Sequence, residues 1–308
     1  MTTLLYTHEA CLTHDPGAFH PECPDRLRAV LAALEAPRFA GLIRRAAPEA
    51  SIEDIARVHP RRHIDALFKA VPAAGSAPID ADTILSPGSG EAALRAAGAC
   101  VAAVDAVLGG EAKNAFCAVR PPGHHAEPSQ AMGFCLFNNV VIGALHARAA
   151  HGVQRIAIVD FDVHHGNGTQ AVAEHDADLF YASTHQWPLY PGTGSAKERG
   201  LGNVVNAPLH AGAGSADFRY AVTEWILPEL DRFAPDFLMI SAGFDAHRND
   251  PLAGLRLDEN DFDWVTERLT EFAEQRCGGR LVSTLEGGYD LNALASSAAA
   301  HVAVLMSA

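Results

Sequence analysis

One stretch, residues 156–168, constrains the fold more than any other part of the chain. It begins with a short apolar run rich in β-branched residues and ends abruptly in aspartates, histidines and a Gly-Asn-Gly turn. Such a run is typical of a buried strand in a parallel sheet, followed by polar residues at its carboxyl end. In open α/β sheets, ligands bind at that end. The stretch therefore predicts both a parallel sheet and the position of a site on it.

The polar residues of this stretch predict a metal site. If the extended conformation persists, the period of two places Asp160, Asp162 and His164 on the same side of the chain. Two carboxylates and an imidazole that converge in a protein interior are costly unless a cation neutralises them. A helix-capping aspartate followed by a polar turn is the alternative interpretation of this stretch taken alone.

Strands and helices alternate along the whole sequence of 308 residues. Besides the strand that begins at residue 156, apolar runs typical of strands lie at 4–6, 115–119, 179–184, 203–207, 237–242 and 281–285. Helical periodicity and capping residues predict helices at 24–34, 51–59, 89–108, 215–233 with an interruption at Pro228, and 258–275, and further helices that end near residues 71, 152 and 308. The alternation predicts an α/β fold with a mostly parallel sheet covered on both faces. Because we find no internal repeat, linker or charge block, we expect one domain over residues 1–308.

Four of the predicted strands lead into polar residues at their carboxyl ends. These residues are His124 and His125, the run 160–165, Asp245, and Tyr289. Because the carboxyl ends of parallel strands share one edge of a sheet, we expect residues distant in sequence to form one site there.

The chemistry of these side chains predicts a catalytic metal centre. Asp162, His164 and Asp245 would supply two oxygens and one nitrogen and leave a position open, as a catalytic zinc site requires. Fe²⁺ or Mn²⁺ would also suit carboxylate ligands. Since two anionic ligands leave little net charge on the ion, catalysis would need a base and a second donor to polarise a carbonyl. The tandem histidines and the phenol of Tyr289 could provide both.

The net charge, the cysteines and the apolar runs of the sequence indicate which partners and which cellular compartment suit the chain. The net charge of −14 makes a broad grip on nucleic acid phosphates unlikely and suits a basic peptide or polyamine better. The six cysteines form no C-x-x-C pair, the start of the chain lacks a secretory signal, and no apolar run is long enough to span a membrane. We therefore expect reduced thiols in a cytoplasmic protein that binds no membrane. The oligomeric state is left open.

The sequence has 16 histidines, most of which have no evident partner in sequence. Examples are His146, His151, His210 and His301. We expect each of these to be a surface or hydrogen-bonded histidine.

Four motifs resemble those of the zinc-dependent histone deacetylase family, particularly its class II and bacterial amidohydrolase members, which include acetylpolyamine amidohydrolases. They are residues 120–126 (Arg-Pro-Pro-Gly-His-His-Ala), 160–168 (Asp-Phe-Asp-Val-His-His-Gly-Asn-Gly), 241–245 (Ser-Ala-Gly-Phe-Asp) and 286–289 (Glu-Gly-Gly-Tyr). The motifs fall in the family's order and span most of the chain. The resemblance implies the arginase/deacetylase fold, with a central eight-stranded sheet, and hydrolysis of an acylated amine by metal-activated water.

The resemblance implies a role for several residues of these motifs. Asp162, His164 and Asp245 match the zinc ligands of the family. Tyr289 matches the phenol that polarises the acyl carbonyl, a position that some members change to histidine.

The tandem histidines also match positions with assigned roles. His125 usually acts as the general base and acid, and His124 has an electrostatic role, although the sequence alone does not decide which one is the base. Asp160 matches the carboxylate that orients His124. Asn167 stands where some members have a second aspartate, and a neutral amide stabilises an imidazolium less than a carboxylate does.

The resemblance further implies a structural potassium ion. Its ligands would be Asp160 together with backbone oxygens of Asp162, His164, Ser183 and Thr184.

Four residues match the substrate channel. Phe134 and Tyr190 correspond to the aromatic walls around an acyl-lysine stem, and Gly133 adjoins them. Leu252 stands where the family's polyamine deacetylases have a glutamate that recognises a distal cation. We therefore predict an enzyme for acyl-lysine or a similar acylated amine, whether a peptide or a small molecule.

Three alternatives remain. Acetylpolyamine hydrolysis is the main one, because other carboxylates such as Asp82 or Glu22 could reach the channel mouth. A catalytically silent acyl-lysine-binding module is disfavoured because the ligands, both histidines and the tyrosine are present. A ureohydrolase would need more aspartates for its two metal ions. His165, Cys135, His185 and Arg26 also lie near the motifs, and we interpret them as structural.

Overall fold

The computed structural model describes residues 2–308. Its main feature is an eight-stranded sheet in the order β2-β1-β5-β10-β9-β6-β7-β8, in which all the strand pairs are parallel. The strands of this sheet are β1 (Thr3–Thr7), β2 (Ile43–Ala46), β5 (Asn114–Cys117), β6 (Ile156–Asp160), β7 (Leu179–Gln186), β8 (Val204–Leu209), β9 (Phe237–Ala242) and β10 (Leu281–Leu285). The short strands β3 (Ala77–Pro78) and β4 (Ile84–Leu85) form a separate antiparallel pair.

Helical layers cover both faces of this sheet. The α-helices are α1 (Pro24–Ala33), α2 (Ile52–Ala56), α3 (Arg61–Ala70), α4 (Ser89–Leu108), α5 (Asn139–His151), α6 (Asn167–Ala173), α7 (Ser215–Tyr220), α8 (Leu227–Phe233), α9 (Glu259–Arg276) and α10 (Leu291–Ser307). Helix α4 packs along α5, whereas α10 packs against α1 and α9, and both α4 and α10 contact β5. The predicted parallel α/β architecture is confirmed. The expectation of a single domain over residues 1–308 stays a prediction.

The order of the strands explains how the predicted site forms. β5, β10, β9 and β6 lie side by side in the middle of the sheet, and they precede the four polar segments singled out in the sequence. The carboxyl ends of these strands bring the segments to the same edge. The sequence-based expectation of one shared edge is therefore met by the four central strands.

Strand β2 was not predicted from the sequence because it lacks the run of apolar residues that is typical of a strand. Its four residues are all exposed, and two of them, Arg44 and Arg45, form ion pairs with Glu35 and Glu111. It lies at one end of the sheet and pairs only with β1. Charged side chains on an edge strand prevent edge-to-edge aggregation, but they remove the apolar pattern by which a strand is recognised.

The predicted interruption at Pro228 takes the form of a π-helical segment, Ala221–Ile226, between α7 and α8. The N–H of Leu227 bonds the carbonyl of Val222, five residues earlier. Proline has no N–H to donate and fits best in the first turn of a helix, which is where Pro228 lies in α8. The helical path therefore continues through the proline with a local change of pitch.

Within residues 2–308, no helix is both long enough and apolar enough to cross a bilayer.

A buried ionic cluster attaches the N-terminal loop to the carboxyl edge of the sheet. The carboxylate of Glu22 accepts hydrogen bonds from Arg120, with Nη2 to Oε2 at 2.7 Å, and from Arg26, with Nη1 to Oε1 at 3.0 Å. Nε2 of His14 lies 3.4 Å from the same carboxylate. Glu22, Arg26 and Arg120 are all fully buried. Burial alone would raise the pKa of Glu22, but Arg120, His14 and Arg26 outweigh it and hold that pKa well below its usual range.

We expect Glu22→Gln to destabilise the fold by about 3–5 kcal/mol at neutral pH, because two buried guanidinium groups would lose their counter-charge. The measurement is the free energy of unfolding in urea. Glu35→Gln is the matched control: Glu35 pairs with Arg44 at an exposed site, and its loss should cost no more than about 1 kcal/mol.

The stabilisation by Glu22 should depend on pH in a defined direction. Because the pKa of Glu22 is lowered on folding, its stabilisation is fully present above the ordinary glutamate value of about 4.3 and is lost as the pH falls through the lower pKa of the folded protein. The difference between native and Glu22→Gln chains should therefore shrink in acid. Equal losses of stability in the Glu22 and Glu35 variants would show that the buried ion pairs of Glu22 do not stabilise the fold.

Candidate active site at the carboxyl edge of the sheet

Three predicted metal ligands meet between β6 and β9. Nδ1 of His164 lies 3.2 Å from Oδ1 of Asp162 and 3.0 Å from Oδ2 of Asp245. The potential ligand atoms of the three residues all lie within 4.8 Å of one another, and all three side chains are buried. Two carboxylates and one imidazole in this arrangement fit a divalent cation. The structure thus forms the candidate metal-binding group that the sequence indicates.

Backbone N–H groups hold the two carboxylates in place. Oδ1 of Asp245 accepts from the N–H of Val163 at 2.8 Å, and Oδ2 of Asp162 accepts from the N–H of Gly287 at 2.7 Å. A Cβ atom at Gly287 would lie 2.2 Å from Oδ2 of Asp245. Only glycine therefore allows the backbone to approach the carboxylates this closely.

The electrostatics of this group favour a cation. Burial, and then the negative charge of Asp162, raise the pKa of Asp245 to about 7. Burial opposes charge on His164, but its hydrogen bonds to Asp162 and Asp245 outweigh that effect and raise its pKa to about 10. The pKa of Asp162 is lowered by His124 and His164 despite its burial. The two carboxylates therefore favour a positive charge beside them, which a divalent ion could supply.

The tandem histidines lie beside this group and differ in their partners. Nδ1 of His124 is 3.0 Å from Oδ2 of Asp160, and Nδ1 of His125 is 2.9 Å from Oδ1 of Asn167. Burial would lower the pKa of His124, but Asp160 and Asp162 outweigh it and raise that pKa to about 10. Burial and the neighbouring His124 place the pKa of His125 well below its usual range. These shifts favour the charged form of His124 and the neutral form of His125, which makes His125 the better proton acceptor.

Glu127 fixes the orientation of Asn167, which the sequence analysis missed. Nδ2 of Asn167 donates to Oε1 of Glu127 at 2.8 Å, so the amide oxygen faces His125. The amide oxygen can only accept, and His125 must therefore carry its proton on Nδ1 and leave Nε2 free. Glu127 directly follows the motif of residues 120–126, but no local pattern indicates its contact with Asn167.

The loop that carries Tyr289 is attached at several points. The guanidinium of Arg26 lies 4.8 Å from the centre of the Tyr289 ring and donates to the carbonyl oxygens of Glu286 and Gly288. The N–H of Tyr289 donates to Oδ2 of Asp250 at 2.7 Å. Burial raises the pKa of Tyr289 well above its usual value, and the positive charge of Arg26 opposes that rise. Arg26 therefore has a structural role, as expected from the sequence, and this role includes positioning the phenol of Tyr289.

Glu286 connects three segments of the site. Its Oε2 accepts from the N–H groups of Gly123 at 2.6 Å and His124 at 3.1 Å, and its Oε1 accepts from the hydroxyl of Ser241 at 3.1 Å. Burial raises the pKa of this carboxyl to about 7, and the positive charge of His124 opposes that rise. The sequence analysis noted Glu286 in a motif but gave it no role.

The predicted channel residues surround the histidines and the tyrosine. The Phe134 ring lies 5.8 Å from that of Tyr289, nearly perpendicular to it, and the Tyr190 ring lies 5.1 Å from that of His125. A Cβ atom at Gly133 would lie only 2.5 Å from Cδ2 of His125. Gly133 therefore contacts the histidine directly, whereas the Tyr190 ring packs against that histidine and the Phe134 ring packs against Tyr289.

Leu252 lies at the protein surface beside the tyrosine loop. Its side chain is 37% exposed, and its N–H donates to Oδ1 of Asp250, the carboxylate that also binds the N–H of Tyr289. Of the two carboxylates suggested for the channel mouth, Asp82 is partly exposed, and after burial it is the next cause of the raised pKa of Tyr190. The suggestion for Glu22 is wrong, because that carboxylate is buried between arginines.

The residues predicted to hold potassium also lie together. The Cα atoms of Asp160 and Ser183 are partners across β6 and β7, and Thr184 is the next residue of β7. The carboxylate of Asp160 is buried and accepts from the N–H of Asp162 and from the hydroxyl of Tyr181, both at 3.1 Å. A potassium ion near this buried carboxylate stays a prediction.

Three further residues near the motifs have structural contacts. Nδ1 of His165 bonds Thr193 and its Nε2 bonds Gln170, while His185 bonds the carbonyl of Gly194. Burial lowers the pKa of His165 to about 3 and that of His185 to about 4. Burial likewise raises the pKa of Cys135 well above its usual value, which leaves an unreactive thiol.

Comparisons with known proteins agree with this geometry. A family model described as "Histone deacetylase domain" matches residues 20–305. The chain is 40% identical to a histone deacetylase-like amidohydrolase of Pseudomonas aeruginosa, over 93% of this chain and 81% of that protein. It is 41% identical to "Histone deacetylase 14, chloroplastic" of Arabidopsis thaliana, over 96% and 75%, and 39% identical to a probable deacetylase of Archaeoglobus fulgidus, over 94% and 82%.

A solved structure gives the same result for the fold. The structure described as "Crystal Structure of HDA15 HD domain" superposes with a TM-score of 0.93 at 38% sequence identity, covering 98% of this chain and 88% of that one. The arginase/deacetylase fold expected from the motifs is confirmed.

Gly133 gives a test of the site's packing. Its φ of +56° disfavours any side chain, and an added methyl group would meet the ring of His125. We expect Gly133→Ala to lose about 1–2 kcal/mol of stability from backbone strain and roughly 1–3 kcal/mol more from the steric clash. It should also shift the imidazole NMR signals of His125.

Gly152→Ala is the matched control. Gly152 has a similar φ of +66°, but an added Cβ would have no neighbour within 4 Å. It should show the loss from backbone strain alone and leave the His125 signals in place. Equal losses of stability with unchanged His125 signals in both variants would show that Gly133 does not position the histidine.

Proposed function

Because the chain belongs to the histone deacetylase family, we propose that it hydrolyses the amide of an N-acetylated lysine side chain or of a similar acylated amine. Its relatives are named deacetylases and amidohydrolases, and the chain is accordingly a hydrolytic enzyme of this family. The choice of acylated lysine as the substrate is the part that we propose.

One observation carries the proposal. A group able to hold a divalent ion, one neutral histidine with a fixed tautomer, one cationic histidine and a phenol meet at the same edge of the sheet. Hydrolysis of an amide needs a base, a donor for the developing oxyanion and an acid for the leaving amine. The site offers a side chain for each of these tasks.

The proposed metal ligands are Asp162, His164 and Asp245. Their donor set suits Zn²⁺, and it would also accept Fe²⁺ or Mn²⁺. When bound, such an ion polarises an acyl oxygen and lowers the pKa of a water molecule. We also propose potassium near Asp160, where a monovalent cation would offset a buried carboxylate.

His125 acts as the proton acceptor in this proposal. Asn167 and Glu127 keep its Nδ1 protonated, so Nε2 can take a proton from the attacking water. The same nitrogen then returns the proton to the leaving amine. His124, held by Asp160, keeps its positive charge and stabilises negative charge that develops beside it.

Tyr289 donates a hydrogen bond to the acyl oxygen in this proposal. Its hydroxyl is a neutral donor at neutral pH because burial raises its pKa. The guanidinium of Arg26 beside the ring makes the phenol a stronger donor, since positive charge favours loss of its proton. Asp250 and Arg26 together fix the backbone from which the ring projects.

Phe134 and Tyr190 are proposed to enclose the methylene stem of the substrate. Both rings are partly exposed and lie against site residues, as the walls of an open channel would. Leu252 would contribute an apolar contact farther out, and Gly133 keeps the channel floor clear over His125.

Hydrolysis of acetylpolyamines is the second candidate. The negative charges of Asp82, Asp80 and Glu127 act on Tyr190 and contribute to its raised pKa, which burial chiefly causes. Carboxylates this close to a channel wall would attract a second ammonium group of a polyamine, or a basic side chain of a peptide. A silent acyl-lysine-binding module is less favoured because the histidines and the tyrosine are held in working positions.

We further propose a reducing compartment such as the cytoplasm. The six cysteines are unpaired, and five of them are buried. The net negative charge favours a cationic peptide or small molecule over nucleic acid as the partner.

Tyr289→Phe tests the proposed oxyanion donor. We expect kcat on an acetyl-lysine peptide to fall by roughly 10²-fold or more, because one hydrogen bond in the transition state is lost, with little change in substrate affinity. Tyr220→Phe, at a side chain that is 61% exposed, is the control and should keep native kinetics. Near-native kcat in the Tyr289 variant would exclude this role.

The substrate proposal is tested by comparing kcat/KM for acetyl-lysine peptides and acetylspermidine. We expect the native chain to prefer the peptide, and Leu252→Glu to raise the value for acetylspermidine about fivefold, since an exposed ion pair is worth up to about 1 kcal/mol. Leu201→Glu adds the same charge at another exposed leucine and should change neither value. A native preference for acetylspermidine that Leu252→Glu leaves unchanged would contradict the proposal.

A further inference from the structure

A second cluster of histidine and carboxylate groups lies away from the candidate active site. Asp105 is near the end of α4, and His146 and His151 belong to the second half of α5. Helix α4 ends shortly before β5 begins, and α5 ends shortly before β6 begins. The cluster therefore lies near the amino ends of the strands, at the opposite edge of the sheet.

The three side chains point at a common position. Nε2 of His146 and Nε2 of His151 each lie 2.7 Å from the same oxygen, Oδ1 of Asp105. One carboxylate oxygen and two imidazole nitrogens are thus within 4.8 Å of one another. The sequence indicated no partners for these two histidines, because the packing of α4 on α5 brings them to Asp105.

His146 faces a carboxylate oxygen at each of its ring nitrogens. Its Nδ1 lies 2.9 Å from Oδ1 of Asp54, and its Nε2 lies 2.7 Å from Oδ1 of Asp105. An N–H at Nδ1 donates to Asp54, which leaves the lone pair of Nε2 directed at the oxygen of Asp105. A metal ion bound by both Nε2 and that oxygen would relieve the repulsion between them.

The surroundings of Asp54 fix its carboxylate beside His146. Asp54 accepts from the hydroxyl of Ser51 at 2.6 Å and from Arg57, and it is largely buried behind His146. A carboxylate that binds the far nitrogen of a histidine fixes the ring and its tautomer, and it commonly accompanies metal-binding histidines. Ser51 and Arg57 thus hold Asp54 where it can orient Nε2 of His146 toward a metal ion.

The side chains of Asp105 and His151 have room to move to the distances that a metal ion requires. A tetrahedral ion with bonds near 2.0 Å separates its ligand atoms by about 3.3 Å, roughly half an ångström more than the present contacts. The side chain of Asp105 is 51% exposed, and that of His151 is 24% exposed at the last residue of α5. Both can move outward, and solvent can reach the open positions of the ion.

We propose that Asp105, His146 and His151 form a second divalent-metal site, oriented by Asp54. Two imidazoles and one carboxylate suit Zn²⁺ among the biologically common ions. The ion connects α4 with α5, and it therefore stabilises the packing of these helices when bound. The site is independent of the proposed hydrolysis.

The test is the zinc content and zinc affinity of the full chain after removal of bound metal. We expect two equivalents of Zn²⁺ in the native chain, one in His151→Gln and one in Asp245→Ala, which removes a ligand of the first site. The double variant should bind none. His151→Gln should turn over an acetyl-lysine peptide as fast as the native chain, whereas Asp245→Ala should be inactive.

Two further variants separate a metal site from an ionic cluster. Asp54→Asn leaves all three ligands in place and should weaken binding at the second site by about 10–100-fold, measured calorimetrically in the Asp245→Ala background. His175→Gln removes an exposed histidine outside the cluster and should keep both equivalents.

Two results would overturn the proposal. One is a native chain that binds a single equivalent up to about 100 μM free Zn²⁺ and loses it in Asp245→Ala, in which case the second cluster holds no metal. The other is a second equivalent that survives both His151→Gln and Asp105→Asn. Failure of the first site would appear separately, as unchanged zinc content in Asp245→Ala.

Discussion

Four buried carboxylates at one edge of the sheet are the constraint on which the structure depends. Asp160, Asp162, Asp245 and Glu286 are all at most 1% exposed. Unpaired charges in such an environment would cost several kcal/mol each. Backbone N–H groups donate a hydrogen bond to each of these carboxylates, and the positive charge of His124 lies beside them. Asp162 and Asp245, together with His164, could also bind a divalent ion. The features that make the site chemically active are thus also those that allow it to exist within the core.

This constraint explains which parts could be predicted from sequence. Burying a charged residue at the end of an apolar strand is costly unless the charge is compensated. Apolar runs that end in charged residues therefore identified the central strands, their shared edge and the residues of the candidate metal group. The contacts behind the site were missed for the opposite reason. Arg26, Asp250 and Glu127 act across loops that are distant in sequence or irregular in backbone, where no period of two or 3.6 applies. Strand β2 was missed because its exposed arginines conceal it, and the carboxylate of Glu22 was misplaced because only the folded chain shows two arginines around it.

The pairing of His125 with an amide shows how a neutral group can substitute for a charged one. A carboxylate in place of Asn167 would accept from Nδ1 without any orientation problem, but it would also raise the pKa of the histidine. An amide can be flipped, so its useful orientation must be fixed from outside, and Glu127 does this by accepting from its Nδ2. His125 therefore has a fixed tautomer and remains neutral, with its pKa well below the usual range, beside a cationic His124.

The two edges of the sheet use similar ligands under different electrostatic conditions. At the carboxyl edge, two carboxylates and a histidine are buried, so water would screen little of their attraction for a cation. At the amino edge, the side chains of Asp105 and His151 are open to solvent, so their attraction for a cation would be weaker. The proposed second ion would therefore exchange more readily than the proposed catalytic ion. Because its exposed ligands belong to α4 and α5, its exchange would change the stability of helix packing and would leave the carboxyl edge, where the strands deliver the reacting groups, undisturbed.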